Sequence, residues 1–213
     1  MAIRRPIERP PFGGPRLRVI PGGATVDDAE VARRLKAGDP AAPALLFDRF
    51  GALVDRVLLR ILGDGADHDD RVQETFLEVL RTVTSLRDDA SFKPWVTTIA
   101  VRVARAELRR RRVRRVLSLW RDDELPEVPF DDDHQGRETL RATYKILDAL
   151  PTEERLAFTL RVIHREELTE VARLCGCSLA TAKRRIARAE QRFREAAAAH
   201  PLLAARLQPE EEG

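Results

Sequence analysis

Residues 168–189 read LTEVARLCGCSLATAKRRIARA, and this stretch decides the fold of the second half of the chain. Val171, Ala172 and Leu174 have the spacing of the buried face of a short helix. Gly176 can take the positive φ of a tight turn, and Ser178 can cap a second helix. Apolar residues then recur at helical spacing. The pattern predicts a helix-turn-helix whose second helix buries Ala182, Ile186, Ala189 and Phe193.

The opposite face of that second helix is cationic. Such a helix, apolar on one side and basic on the other, suits insertion into the major groove of DNA, where arginine can read guanine or hold phosphate. Short helix pairs with a glycine turn also occur in proteins that do not bind DNA, so the charge is the feature that favours DNA. The residues of this face are Thr181, Arg184, Arg185, Arg188 and Arg192.

A second basic segment, RRRRVRR at residues 109–115, lies at the end of another amphipathic pattern. Arg102, Arg105, Arg109 and Arg112 recur at i, i+3, i+7 and i+10, which places them on one helical face. Like charges this close destabilise a helix, so an anionic partner is indicated, and nucleic acid phosphate is the commonest one. The alternative is a frayed and solvated helix end.

The bulk composition limits the class of protein. The chain has 213 residues, 43% hydrophobic and only 5% aromatic, with a net charge of +3. These values fit small helical bundles. No stretch approaches the roughly 20 apolar residues of a membrane span, and the N-terminus lacks a secretion signal, so we expect a cytoplasmic protein. Cys175 and Cys177 are too close for an unstrained disulfide and too few for a zinc site.

Charge and helical periodicity divide the chain into segments. Nine basic residues stand against one acid, Glu107, between residues 93 and 115, and eight acids stand against two arginines between residues 121 and 138. We therefore predict an all-α protein of two small helical domains joined by a flexible acidic linker. The predicted segments are a disordered arm (1–26), a first bundle (27–115), the linker (116–136), a second domain (137–199) and a tail (200–213).

Catalysis is a weaker alternative. Asp67, His68, Asp69 and Asp70 could be read as metal ligands, as could the cluster at residues 131–134. The first group opens a helix, where carboxylates are favoured by the helix dipole, and the second lies in the linker. We find no glycine-rich phosphate loop or nucleophile constellation, so we expect no enzyme, cofactor or metal.

Both halves resemble a known pair of regions. LLFDRFGALVDRVLLRILGD, DHDDRVQETFLEVL and SFKPWVTTIA, within residues 41–112, resemble region 2 of bacterial sigma factors. LDALPTEERLAFTLRVIHREELTEVARLCGCSLATAKRRIARAEQRFR, residues 147–194, resembles region 4. With only these two regions and a short linker, the chain is similar to the extracytoplasmic-function (ECF) group of the sigma-70 family.

This resemblance implies partners and site residues. The expected partners are the RNA polymerase core, through its largest-subunit clamp helices and its flap, promoter DNA, and a possible anti-sigma factor, without membrane insertion. Region 2 would open the minus-ten element and region 4 would read the minus-thirty-five element. Polymerase would be bound by Asp70, Gln73 and Glu74. DNA would be bound by Lys93, Trp95, Arg102, Arg105, Arg109, Arg112, Ser178, Thr181, Lys183, Arg184, Arg185 and Arg188.

Several positions depart from the family pattern. Arg71 stands where a leucine is usual, Arg102 where an asparagine is usual, and Ala106 where an aspartate is usual. In region 4 the usual Gly-Thr-Val-Lys-Ser is Ala-Thr-Ala-Lys-Arg at residues 180–184, which adds charge. Because the first three positions belong to polymerase docking and strand opening, a helix-turn-helix regulator that does not serve polymerase is the alternative function.

Overall fold

The computed structural model of the chain describes residues 26–63, 65, 67–117 and 134–207. Within these ranges every regular element is helical, which confirms the all-α prediction. The predicted arm up to residue 25, linker residues 118–133 and tail residues 208–213 lie outside the described residues. None of the described helices is both long and apolar enough to cross a membrane.

The first half is a bundle of four helices: α1 (Asp28–Lys36), α2 (Ala42–Leu62), α3 (His68–Thr82) and α4 (Phe92–Leu117). Asp27 caps α1 by accepting a hydrogen bond from the Glu30 amide at 2.6 Å. Gly63 ends α2 with a φ of +76°, which favours glycine. Each helix buries one apolar stripe, and the fully buried side chains include Phe50, Phe76 and Phe92. Two 3₁₀ turns, Val83–Ser85 and Asp89–Ser91, connect α3 to α4.

The second half contains five helices: α5 (His134–Ala149), α6 (Thr152–Phe158), α7 (Leu168–Cys175), α8 (Leu179–Ala198) and α9 (Pro201–Leu207). One π-helical turn, Thr159–Ile163, extends α6. The predicted helix-turn-helix is formed by α7 and α8. Gly176 takes a φ of +59° between them, and the Ser178 hydroxyl accepts a hydrogen bond from the Thr181 amide at 3.2 Å. The predicted tail contains α9, and Leu203 packs this helix against α5 and α8.

The two halves share one hydrophobic core, although the sequence indicated two tethered bundles. Leu156, Leu160, Val171 and Ile186 of the second half belong to the same buried cluster as the apolar residues of α1 to α4. Burial of this apolar surface is the main stabilisation available to the contact. The relative position of the two halves is therefore fixed by packing.

Hydrogen bonds to the carboxyl end of α2 reinforce this contact. Arg155, 2% exposed, donates to the carbonyl oxygens of Ile61 at 2.9 Å and Leu62 at 3.3 Å, and it pairs with Asp148. The hydroxyl of Tyr144 donates to the Leu59 carbonyl at 2.9 Å. Carbonyls in the last turn of a helix have no partner within the helix. Arg155 satisfies that of Ile61, and it shares that of Leu62 with Arg111 of α4, which donates to it at 2.9 Å. Burial lowers the pKa of the Arg155 guanidinium, and Asp148 opposes that shift.

Candidate nucleic-acid interface

The exposed side of α3 carries the residues that the resemblance assigned to polymerase. Asp70 and Gln73 are exposed, and Leu77, one turn further along, is 61% exposed. Glu74 differs from its neighbours because Arg71 pairs with it and Arg110 of α4 lies 3.7 Å from its carboxylate. The α3 face therefore combines a free carboxylate, an amide and an apolar side chain, while the charge of Glu74 is already partly neutralised.

The start of α4 presents a different surface. Lys93 is exposed, whereas Trp95 is half-buried and stacks on Phe92 with ring centroids 5.9 Å apart. Arg173 of α7 reaches this region and donates to the Thr98 hydroxyl at 3.0 Å. Arg173 is also held by Glu170, and this hydrogen bond raises the pKa of Arg173 and lowers that of Glu170. The helix-turn-helix thus touches the first turns of α4.

The arginines of RRRRVRR do not form one solvated face. One group folds onto Glu107, which is 2% exposed within α4. Charged side chains are almost never buried to this extent without partners. The distances to its carboxylate oxygens are 2.8 Å for Arg114, 3.2 Å for Arg111 and 3.7 Å each for Arg110 and Arg71. This set is called the Glu107 cluster below, and it ties α3 to α4.

A second group turns toward the other half of the molecule. Glu153 of α6 lies 2.9 Å from Arg109 and 3.5 Å from Arg105 through one carboxylate oxygen, and 3.2 Å from Arg185 of α8 through the other. We call these four residues the Glu153 cluster. It joins the two surfaces that the sequence predicted to be cationic.

The remaining cations among the predicted DNA-binding residues are open. Their side chains are exposed and make no hydrogen bond or ion pair with any other residue that the structure describes. Three lie on α4 and three on α8, so each predicted DNA-binding helix keeps free cations. They are Lys93, Arg102, Arg112, Lys183, Arg184 and Arg188.

The structure shows what the sequence reasoning missed at this site. Glu153 and Asp148, the acidic partners supplied by the second half, carried no local signal, because their arginines are between 7 and 48 residues away in sequence. Glu107 did carry a local signal in the sequence. It is the single acid among nine basic residues between residues 93 and 115, which is the composition expected where one carboxylate must balance several guanidinium groups.

The candidate metal ligands do not assemble. Among the described residues no group of three or more histidine, cysteine, aspartate and glutamate side chains could hold a metal ion. The Nε2 of His68 lies 2.8 Å from Asp55 instead. Residues 131–133 of the other candidate cluster fall outside the described ranges. Cys175 and Cys177 are free thiols, and burial raises the pKa of Cys175 to about 11, so it is protonated at neutral pH.

Comparison with known proteins connects this geometry to a family. The model of sigma-70 region 2 matches residues 46–114, and that of sigma-70 region 4 matches residues 140–193. The chain is 29% identical over 174 residues to the ECF RNA polymerase sigma-E factor of Escherichia coli strain K12, covering 77% of this chain and 91% of that protein. It is 26% identical over 186 residues to the RNA polymerase sigma-H factor of Pseudomonas aeruginosa, covering 83% and 95%.

Two solved structures have a similar fold. CnrH in complex with the cytosolic domain of CnrY superimposes with a TM-score of 0.55 at 23% identity, covering 79% of this chain and 95% of that chain. The sigma factor RpoE of Bartonella quintana in complex with the anti-sigma factor NepR gives a TM-score of 0.55 at 21% identity, covering 72% and 94%. The two family regions together account for more than half of the residues. This chain belongs to the sigma-70 family, as a sigma factor of the ECF group.

Proposed function

We propose that this sigma factor binds the RNA polymerase core through α3, opens the minus-ten element with region 2 and reads the minus-thirty-five element with region 4. One observation carries the proposal: the same chain presents an acidic, partly apolar face on α3 and free cations on both α4 and α8. An acidic face and a cationic face suit partners of opposite charge, a basic protein surface and DNA.

Polymerase docking is assigned to the α3 face. Asp70 and Gln73 are exposed in the arrangement described, so they can meet a basic helix pair without rearrangement of the chain. The 61% exposure of Leu77 places an apolar side chain beside them, as expected near the centre of a protein interface. Glu74 contributes less, because Arg71 and Arg110 already share its carboxylate.

Duplex reading is assigned to α8. Ser178 fixes the start of the helix by capping it, and Thr181 lies in the first turn. Lys183, Arg184 and Arg188 project from the exposed side, while Ala182 and Ile186 anchor the other side in the core. A helix held in this way can place its first two turns against base edges, with the later cations on phosphate.

Strand opening is assigned to the beginning of α4 and the turns before it. Lys93 and Trp95 lie in the first turn of α4 and Arg102 about two turns further along, and they supply a cation, an aromatic ring and a second cation, the kind of groups that hold phosphates and unstacked bases. Arg105, Arg109 and Arg112 continue the face of Arg102 and add affinity for the DNA backbone that carries little sequence information.

An anti-sigma protein is a further proposed partner. The two solved structures of similar fold are complexes with a second polypeptide, and in one of them that polypeptide is the anti-sigma factor NepR. By analogy, a polypeptide of this kind would compete with polymerase for the chain. It would be recognised by its ability to prevent retention of the chain on core polymerase.

Retention on immobilised core polymerase tests the proposal against the alternative of a plain DNA-binding regulator. The wild-type chain should be retained, and changing both Asp70 and Gln73 to alanine should weaken retention at least tenfold, because each is expected to act as an interface contact. Asp48→Ala, an exposed change on α2 with the same loss of charge as Asp70→Ala, should have no effect. If the wild-type chain were washed off the immobilised polymerase as readily as the double variant, the result would contradict the proposal.

A further inference from the structure

Glu153 is the only described residue whose carboxylate contacts arginines of both predicted DNA-binding helices. Its Oε1 faces Arg109 and Arg105 of α4, at 2.9 and 3.5 Å, and its Oε2 faces Arg185 of α8 at 3.2 Å. The Glu153 side chain is 28% exposed, so these pairs are partly shielded from water. Arg109 donates a hydrogen bond to Oε1 as it would to a phosphate oxygen, while Arg105 and Arg185 face the carboxylate as ion pairs.

The position of Glu153 in α6 does not by itself explain these contacts. A carboxylate in the first turn of a helix is favoured by the helix dipole, but Glu154 is also in that turn and pairs with a single arginine, Arg192, at 2.9 Å. Glu153 instead directs both oxygens across the junction between the two halves. The shared hydrophobic core holds it there.

We propose that Glu153 is an intramolecular competitor for DNA phosphate at Arg105, Arg109 and Arg185. The inference rests on the proposed function, since it assumes that these arginines bind DNA. While Glu153 occupies them, DNA contacts only the remaining free cations, and full contact requires the three ion pairs to break. Polymerase docking does not require this step, because Asp70 and Gln73 are exposed while the pairs are intact. The chain therefore favours binding of polymerase before full engagement of DNA.

Affinity for DNA of the isolated full-length chain tests this inference. The probe is a labelled 30-base-pair duplex of arbitrary sequence, measured by fluorescence anisotropy at several salt concentrations. Glu153→Gln should bind about tenfold more tightly, because partly exposed ion pairs are each worth a factor of about two to three and three of them are removed. Glu195→Gln, which removes the same charge from an exposed position on α8, is the matched control and should change the affinity less than twofold.

Salt dependence separates competition from a merely structural effect. Breaking the three pairs in the wild type leaves a carboxylate that takes up cations and offsets part of the counterion release from DNA. The slope of log affinity against log salt should therefore be steeper for Glu153→Gln than for the wild type. The slope for Glu153→Asp, which keeps the charge but withdraws it by one methylene, should lie between the slopes of the wild type and Glu153→Gln. This variant provides a second test if the glutamine variant does not fold.

The outcomes distinguish this inference from the proposed function. Equal affinities and equal slopes for the wild type, Glu153→Gln and Glu195→Gln would overturn the competition. Equal gains for both glutamine variants would also overturn it, since they would show an effect of net charge. Retention on core polymerase is measured separately for the same variants: if it fails for the wild type, the proposed function fails whatever the anisotropy shows.

Discussion

Single residues explain why this chain tolerates four consecutive arginines. Glu107 gathers Arg111 and Arg114 within 3.2 Å, and Glu153 takes Arg109, so within the run only Arg112 has no partner among the described residues. Most arginines of the run therefore belong to internal ion-pair networks, and Arg112 is the exception. The repulsion expected from sequence alone is offset locally by two carboxylates.

Replacing Glu107 by glutamine should destabilise the protein by about 3 kcal/mol, because the guanidinium groups around it would lose the buried charge that they surround. For a chain of this size that loss lowers Tm by roughly 6 to 12 °C. Thermal unfolding followed by circular dichroism measures the change. Glu195→Gln, at an exposed position, should stay within about 0.5 kcal/mol of the wild type, and an equally small change at Glu107 would contradict this role.

At this scale the sequence predicts which residues are charged and on which helical face they lie, but not their partners. Arg102 and Arg105 share the predicted face of α4, yet Arg102 is free while Arg105 faces Glu153, 48 positions later in the sequence. Periodicity describes one helix at a time. The contact between two helices depends on how the halves pack, which no local pattern specifies.

The individual elements follow closely from local chemistry. Gly176 and Ser178 predict the turn between α7 and α8 and the start of α8, and the structure confirms both. Two elements were not predicted. The π-helical turn after α6 depends on a hydrogen bond from the His164 amide to the Thr159 carbonyl, and α9 depends on burial of Leu203 against α5 and α8. Both depend on geometry that short-range patterns do not encode.

The turn between α7 and α8 offers a matched pair of glycine changes. Gly176→Ala should cost about 1 kcal/mol, because alanine is strained at a φ of +59° although nothing lies within 4 Å of an added Cβ. Gly51→Ala, inside α2 and equally free of contacts, should raise stability by about 0.5 to 1 kcal/mol. Urea unfolding of both variants provides the comparison. The helix-turn-helix geometry would be contradicted if the two changes had the same sign.

The two halves of the molecule are joined by a shared core and by hydrogen bonds. One hydrophobic cluster joins α1 to α4 with α6, α7 and α8, and Arg155 and Tyr144 bind the carbonyls that end α2. The sequence predicts both sets of helices but not the packing between them. The surfaces that join the two halves are ordinary apolar stripes within each half. Their shared core brings Glu153 to the arginines of α4.

Arg155→Leu should weaken the coupling between the halves. It leaves the Ile61 carbonyl without its side-chain donor and the Asp148 carboxylate without its buried partner, which should cost about 3 kcal/mol. We expect a single cooperative transition for the wild type in calorimetry, and an earlier, broader or divided transition for the variant. Arg81→Ala, a change at a side chain that is 76% exposed, should leave the transition in place. An unaltered transition for Arg155→Leu would show that the contact contributes little to coupling.

Run-off transcription with purified core polymerase on genomic fragments tests the central claim most directly: the two cationic helices act on one promoter as parts of an initiation factor. Addition of the wild-type chain should produce transcripts with discrete start sites that core alone does not make. Arg184→Ala combined with Arg188→Ala should abolish most of them while leaving retention on core unchanged. Transcripts identical to those of core alone, from a chain that core retains, would contradict the account.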